Sequence, residues 1–223
     1  MSDIKYLQEF LDLVPISRKF SLREDKEVEI AHCLDNMSVS GCIIEAGVWK
    51  GQSINFIARH ERVIDKSVYG FDSNLGLPHD WNMGSCIIPA SFNFTGATYD
   101  SNVVMYDGWF EDTLPIFKED VPENISFLNI DSDVYSSCVD VLENLNDRIV
   151  PGTIIRFDEL CCWRTETGID HYIEFYNGRD VPRYTTWREG EFKALIEWTE
   201  KYNRTVRPYT RTGSVSGTVY VEE

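Results

Sequence analysis

Residues 125–135 read Ile125-Ser126-Phe127-Leu128-Asn129-Ile130-Asp131-Ser132-Asp133-Val134-Tyr135, an apolar run that ends abruptly in carboxylates. A short run of this kind, bounded by polar residues, is the pattern of a strand buried on both faces. Residues 153–159, TIIRFDE, repeat the pattern and close on Asp158 and Glu159. In an open α/β sheet, ligands bind in the crevice beyond the carboxyl ends of such strands. Asp131, Asp133, Asp158 and Glu159 are therefore expected to meet at one crevice, where their hard oxygen donors suit a divalent cation.

Outward from these two runs, strands alternate with helices. Residues 42–47 (CIIEAG), 67–72 (SVYGFD) and 102–108 (NVVMYDG) read as three earlier strands, the second ending at Asp72 and the third near Asp107. A helix follows the first around QSINFIARHER. Another follows Asp131, with Val141, Leu142, Leu145 and Ile149 on one face, and leads into Pro151-Gly152 and the fifth strand. Such alternation predicts a parallel sheet with right-handed crossovers. At the amino end, Ile4, Leu7, Leu11 and Val14 have helical spacing and a second helix spans about residues 24–37, so residues 1–40 read as a helical cap. At the carboxyl end a helix, EFKALIEWTEKYN, precedes two β-branched strands, TVRPYTRTG and SGTVYVEE, joined by a short turn and hence antiparallel. The expected architecture is a single α/β domain over residues 1–223. Its core is 41–160, an aromatic-rich insertion over the site is 161–190, and a final helix with hairpin is 191–223. The five strands and the hairpin make a seven-stranded, mostly parallel sheet.

Composition narrows the partners. The chain has 223 residues, 43% hydrophobic, enough for one α/β core. Its 21 basic and 37 acidic residues give a net charge of −16, which repels nucleic acid and anionic membranes alike. With no signal-like amino terminus and no run near the roughly 20 apolar residues of a membrane span, a cytoplasmic location is expected. The six cysteines lack CxxC spacing and read as reduced thiols, and the four histidines are scattered without zinc-ligand spacing.

Three further positions bear on binding. The turn Glu45-Ala46-Gly47-Val48-Trp49-Lys50-Gly51 is ExGxxxG rather than the dinucleotide fingerprint GxGxxG. It suits a nucleoside carrying an amino acid, with Glu45, Gly47 and Gly51 lining that end, although a glycine loop without a ligand has the same pattern. Asp72 stands where an acidic side chain accepts both ribose hydroxyls, or else caps a turn. Asp107 and Trp109 are placed beside an adenine ring, a surface turn explaining Asp107 equally well.

Taken in order, EAGVWKG, YGFDSNLGLP (69–78), GWFEDTLP (108–115), IDSDVYSS (130–137) and VPGTIIRFDE (150–159) resemble the macrocin-type O-methyltransferases. That resemblance spans roughly residues 40–220. It implies a Rossmann-like class I methyltransferase that uses S-adenosyl-L-methionine to methylate sugar hydroxyls of macrolide and aminocoumarin antibiotics. By position it makes Asp131 a magnesium (Mg2+) ligand and Asp133 the general base, and it sets Asp158 and Glu159 on two adjacent aspartates that complete the metal site. The chain departs from the pattern at Glu159, a glutamate for an aspartate, at Asn74, where an aromatic residue is usual, and in a short amino-terminal cap. The implied acceptor is a sugar or another vicinally hydroxylated small molecule, with a homo-oligomer left open. Methylation of a catechol-like aromatic and a degenerate cofactor-binding subunit are the competing readings, while a nicotinamide oxidoreductase lacks its third glycine.

Overall fold

The core strands follow the order the sequence predicts, and a helix the sequence reading did not name, Phe110–Asp120, joins two of them. The computed structural model describes residues 2–17, 22–163, 166 and 184–223. The elements are α1 (Ser2–Asp12), α2 (Leu22–Asp35), β1 (Cys42–Ala46), α3 (Gln52–Ala58), β2 (Val68–Asp72), β3 (Trp81–Asn82), β4 (Ile87–Ile88) and β5 (Val103–Asp107). They continue with α4 (Phe110–Asp120), β6 (Ile125–Ile130), α5 (Tyr135–Leu145), β7 (Ile149–Phe157), α6 (Glu191–Tyr202), β8 (Val206–Arg211) and β9 (Gly217–Val221).

The seven-stranded sheet has the order β5-β2-β1-β6-β7-β9-β8. Strands β5, β2, β1, β6 and β7 are parallel, whereas β9 runs antiparallel to both β7 and β8. Strand order reverses between β1 and β6, which makes their carboxyl ends the two walls of the crevice where an open α/β sheet takes its ligand.

Period-2 alternation splits each central strand between two apolar layers. Ile43, Phe127 and Ile154 face Ile30, Cys33 and Leu34 of α2 and Ile54 and Ile57 of α3. Ile44, Leu128 and Ile155 face the other way, with Leu114 and Phe117 of α4, Val141 and Leu142 of α5, and Leu195 and Trp198 of α6. Both faces are covered, so the strands read as continuous apolar runs rather than alternating ones.

Two details differ from the sequence reading. Ile149 opens β7 instead of extending α5, because the chain turns at Asn146, whose carbonyl accepts from Arg204 Nη2 at 2.6 Å. Ile149 is still buried, and this preserves the helical spacing that suggested the longer helix. The two-residue hairpin of β3 and β4, between β2 and β5, has too little alternation to be read from sequence. Of the aromatic stretch at 161–190, Trp163, Tyr184 and Trp187 are core residues, and Trp163 Nε1 donates to the Ser216 carbonyl at 2.7 Å. His171, Tyr172 and Tyr176 lie outside the described residues.

Gly47, just after β1, lies against the backbone of the turn that follows β6. Its φ is +91°, and a Cβ added there would stand 1.9 Å from the Asp131 carbonyl oxygen. Gly47→Ala is thus expected to lower the unfolding free energy by roughly 1–3 kcal/mol through backbone strain and displacement of the Asp131 turn. Urea denaturation of wild type and variant measures it, and equal midpoints would refute the close-approach role.

Candidate active site

A line of polar residues crosses the centre of the sheet. Glu45 on β1 is the register partner of Asn129 on β6, Asn129 of Arg156 on β7, and Arg156 of Thr218 on β9. All four are fully buried, so each must find its partner inside the protein. Asn129 Nδ2 donates to Glu45 Oε1 at 2.9 Å, and Arg156 Nη1 donates to Asn129 Oδ1 at 2.9 Å. Arg156 Nε reaches Glu29 Oε2 of α2 at 2.9 Å, and Nη2 reaches Asp158 Oδ1 at 2.7 Å. Glu29 also accepts from Thr210, Ser216 and Thr218. A guanidinium with fixed donor directions thereby ties one helix and the carboxyl end of β7 to the middle of the sheet.

Three of the four acidic residues expected to gather do so. One carboxylate oxygen each from Asp131, Asp158 and Glu159 lies within 4.8 Å of the others. Lys26 of α2 reaches into this group, donating to Asp131 Oδ2 and standing 3.3 Å from Asp158 Oδ2. Glu191, in the first turn of α6, accepts from the Glu159 backbone N–H at 3.0 Å and the Ser132 N–H at 3.4 Å, so it holds both turns that carry the cluster. Glu159 Oε2 is buried without a hydrogen-bond partner.

Charges in this cluster do not balance. Burial, followed by the Asp158 charge, pushes the Asp131 carboxyl up to about 6 against the pull of Lys26. Burial and neighbouring carboxylates raise Asp133, Glu159 and Glu191 well above the usual range. Asp158 alone is lowered: burial opposes this, but Lys26 and Arg156 together overcome it. Carboxylates that resist ionisation, close together and with an unpartnered oxygen, form a set of hard donors short of positive charge. The residues fit a divalent cation.

Asp133 sits beside them at the tip of a tight turn. Its φ is +61°, and the Val134 N–H donates to the Ser132 carbonyl at 2.6 Å across it. A non-glycine residue in this region is strained, and such strain concentrates at functional positions.

Across the crevice, Asp72 organises the ExGxxxG turn. Its Oδ2 accepts from the backbone N–H groups of Val48 at 2.9 Å and Trp49 at 2.7 Å, while Oδ1 accepts from Asn74 N–H at 2.7 Å. Asn74 Nδ2 in turn donates to Asp107 Oδ1 at 3.0 Å. A carboxylate has about four acceptor sites, so Asp72 keeps capacity for a further donor. Gly51, with φ +77°, caps α3, and Trp109 precedes α4 half-buried. Glu45 lies beneath the turn rather than on its surface, fully buried, with Oε2 unpartnered.

Sequence reasoning missed Lys26, Glu29, Asn129, Arg156 and Glu191. A signal existed for two of them: Asn129 and Arg156 each interrupt an otherwise apolar buried run, and a charge inside such a run requires a partner. Lys26, Glu29 and Glu191 gave none, since charged residues on helices are ordinarily solvated.

Burial raises the Glu45 carboxyl to about 8, only partly offset by Lys26. A carboxylic acid whose folded-state value lies above its unfolded one binds its proton more tightly when folded. It therefore contributes stability at low pH that is lost as pH climbs towards about 8. Glu45→Gln keeps the acceptor for Asn129 and has no proton to lose. Thermal unfolding between about pH 5 and 8 should show a melting temperature that falls less steeply with pH in the variant than in wild type, and parallel curves would exclude a protonated Glu45.

The chain is similar to known O-methyltransferases. The macrocin-O-methyltransferase (TylF) family model matches residues 88–181, a span that includes Asp131, Asp133, Asp158 and Glu159. The mycinamicin III 3''-O-methyltransferase of Micromonospora griseorubida is 26% identical over 64% of this chain and 65% of its own. The demethyldecarbamoylnovobiocin O-methyltransferase of Streptomyces niveus is 28% identical over 64% of this chain and 63% of its own. The match thus spans just under two thirds of the length of these curated relatives. Among solved structures, the calicheamicin methyltransferase CalS11 superposes with a TM-score of 0.65 at 18% identity, covering 98% of this chain and 91% of that one. The MycE methyltransferase of the mycinamycin biosynthetic pathway, in complex with Mg, SAH and mycinamycin VI, gives 0.52 at 13% identity, covering 87% of this chain and 48% of that one. The order β5-β2-β1-β6-β7-β9-β8 with its antiparallel last pair is the shared Rossmann-like architecture, and over the residues matched the chain is similar to the macrocin-type O-methyltransferases.

Proposed function

We propose that this chain is an S-adenosylmethionine-dependent, divalent-metal-assisted O-methyltransferase acting on a sugar or another vicinally hydroxylated small molecule. The observation that carries the reading is the meeting of Asp131, Asp158 and Glu159, with their oxygens within 4.8 Å, at the crevice whose other wall is the ExGxxxG turn. The printed activities of the relatives, methyl transfer to hydroxyls of glycosylated natural products, support the acceptor class, and the magnesium in the MycE complex supports the metal. The presence of Asp131, Asp133 and Asp158 in the chain counts against a catalytically degenerate subunit.

In this mechanism the Asp72-braced turn receives the cofactor, with Asp72 accepting ribose hydroxyls and Asp107 and Trp109 bordering the base. Asp131, Asp158 and Glu159 would hold the divalent cation, which supplies polarisation of the acceptor hydroxyl. The reaction is an in-line displacement: the acceptor oxygen forms a bond to the methyl carbon as the carbon–sulfur bond breaks, its electron pair going to sulfur. Positioning of the two reactants is the main catalytic task. The hydroxyl proton passes to the Asp133 carboxylate. Burial among other carboxylates raises the proton affinity of Asp133, so its ionised form is a stronger base than an ordinary aspartate.

A methyl-transfer assay with a hydroxylated sugar acceptor and titrated magnesium tests the scheme. Excess chelator should abolish turnover and magnesium restore it, while Asp133→Asn, which keeps the shape and loses the proton acceptor, should reduce turnover by roughly 100-fold or more. Full activity in chelator, or an Asp133→Asn enzyme as fast as wild type, would leave methyl transfer by positioning alone.

A further inference from the structure

Lys26 occupies the space between two of the three candidate metal ligands. Its ammonium donates to Asp131 and lies 3.3 Å from Asp158 Oδ2, and the three side chains are only 19%, 21% and 19% exposed. A hard cation takes carboxylate oxygens at about 2.0–2.6 Å, closer than a hydrogen-bonded ammonium can share them. Two cations on the same pair of oxygens would also repel across a space shielded from water.

We propose that Lys26 is a tethered counter-ion that neutralises Asp131 and Asp158 until a divalent cation displaces it. This rests on the metal-assisted reading above and adds a competitor built into the chain. The exchange requires only the Lys26 side chain to turn. One helical turn further along α2, Glu29 remains fixed to Arg156 at 2.9 Å and to Thr210, Ser216 and Thr218. The helix therefore stays in place while its lysine leaves. Such a device keeps the empty cluster from holding adjacent unscreened carboxylates, at the cost of weakening metal affinity by the free energy needed to break the Lys26 contacts. Glu159 is the ligand that Lys26 leaves alone: its Oε2 is buried with no hydrogen-bond partner.

Calorimetric titration with magnesium ion, run on wild type, Lys26→Met and Lys26→Arg, provides the test. Removing the ammonium should tighten magnesium binding by about tenfold or more, while arginine, which keeps the charge, should leave it no tighter than wild type. Lys26→Gln repeats the comparison with a polar side chain if the methionine variant fails to fold. Binding of S-adenosylhomocysteine, titrated in parallel, should be unchanged in all variants. Equal or weaker magnesium binding after loss of the ammonium would overturn the proposal alone. Retained S-adenosylhomocysteine binding with no magnesium binding in any variant would overturn both the proposal and the metal-assisted scheme, and would leave a metal-independent methyltransferase.

Discussion

The Arg156 guanidinium is the interaction on which the rest of the structure depends. It lies at the centre of the sheet with no exposure, and taking such a charge out of water costs several kcal/mol unless its donors are met. They are met by Glu29, Asn129 and Asp158, each at 2.9 Å or less. Every one of these contacts has a structural consequence. Glu29 fastens α2, Asn129 passes the constraint to Glu45 beneath the ExGxxxG turn, and Asp158 is aimed at the carboxylate cluster. An apolar residue of the same volume would pack acceptably in β7, yet it would leave Glu29 buried among hydroxyls and Asp158 held only by Lys26. The charged network costs stability and in return fixes the positions of groups on four different elements.

That network also explains why negative charge accumulates at the crevice without tearing it open. Strand reversal between β1 and β6 brings Asp131, Asp133, Asp158 and Glu159 to one place by topology alone, and Glu191 joins them from α6. Like charges this close raise one another's proton affinity. Arg156 and Lys26 neutralise Asp158 and part of Asp131, and the remainder stays short of a cation. That imbalance is what the proposed divalent ion would relieve.

The sheet was legible because its strands are buried on both faces, so unbroken apolar runs ended by carboxylates mark both their extent and their functional ends. Asp131, Asp133, Asp158 and Glu159 could be read for the same reason: each is the first polar residue after, or close behind, such a run. Ile149 misled because burial in β7 continues the helical spacing of Val141, Leu142 and Leu145 across a turn. Trp163, Tyr184 and Trp187 fall in the aromatic-rich stretch read as an insertion over the site, and the structure buries them all. Lys26 and Glu29 were invisible for a deeper reason. Their faces of α2 are polar yet buried, because their partners are also charged, and no periodicity of apolar residues records a polar interior.

Backbone strain follows the same geography. Trp49, Asn74 and Asp133 are non-glycine residues with φ of 46°, 58° and 61°, and all three border the crevice. Asn203, with φ 51°, simply ends α6, and Phe92, with φ 69°, lies in the loop after β4 with its ring edge-on to Trp49. At the crevice the strain is held by carboxylates: Asp72 accepts from the N–H groups of Trp49 and Asn74, and Glu191 accepts from Ser132 next to Asp133. Loops braced in this way have already lost the conformational freedom that ligand binding would otherwise have to remove. The acidic residues of this chain thus divide by what they face. Those turned towards backbone N–H groups set the shape of the crevice, and those turned towards one another create its demand for a cation.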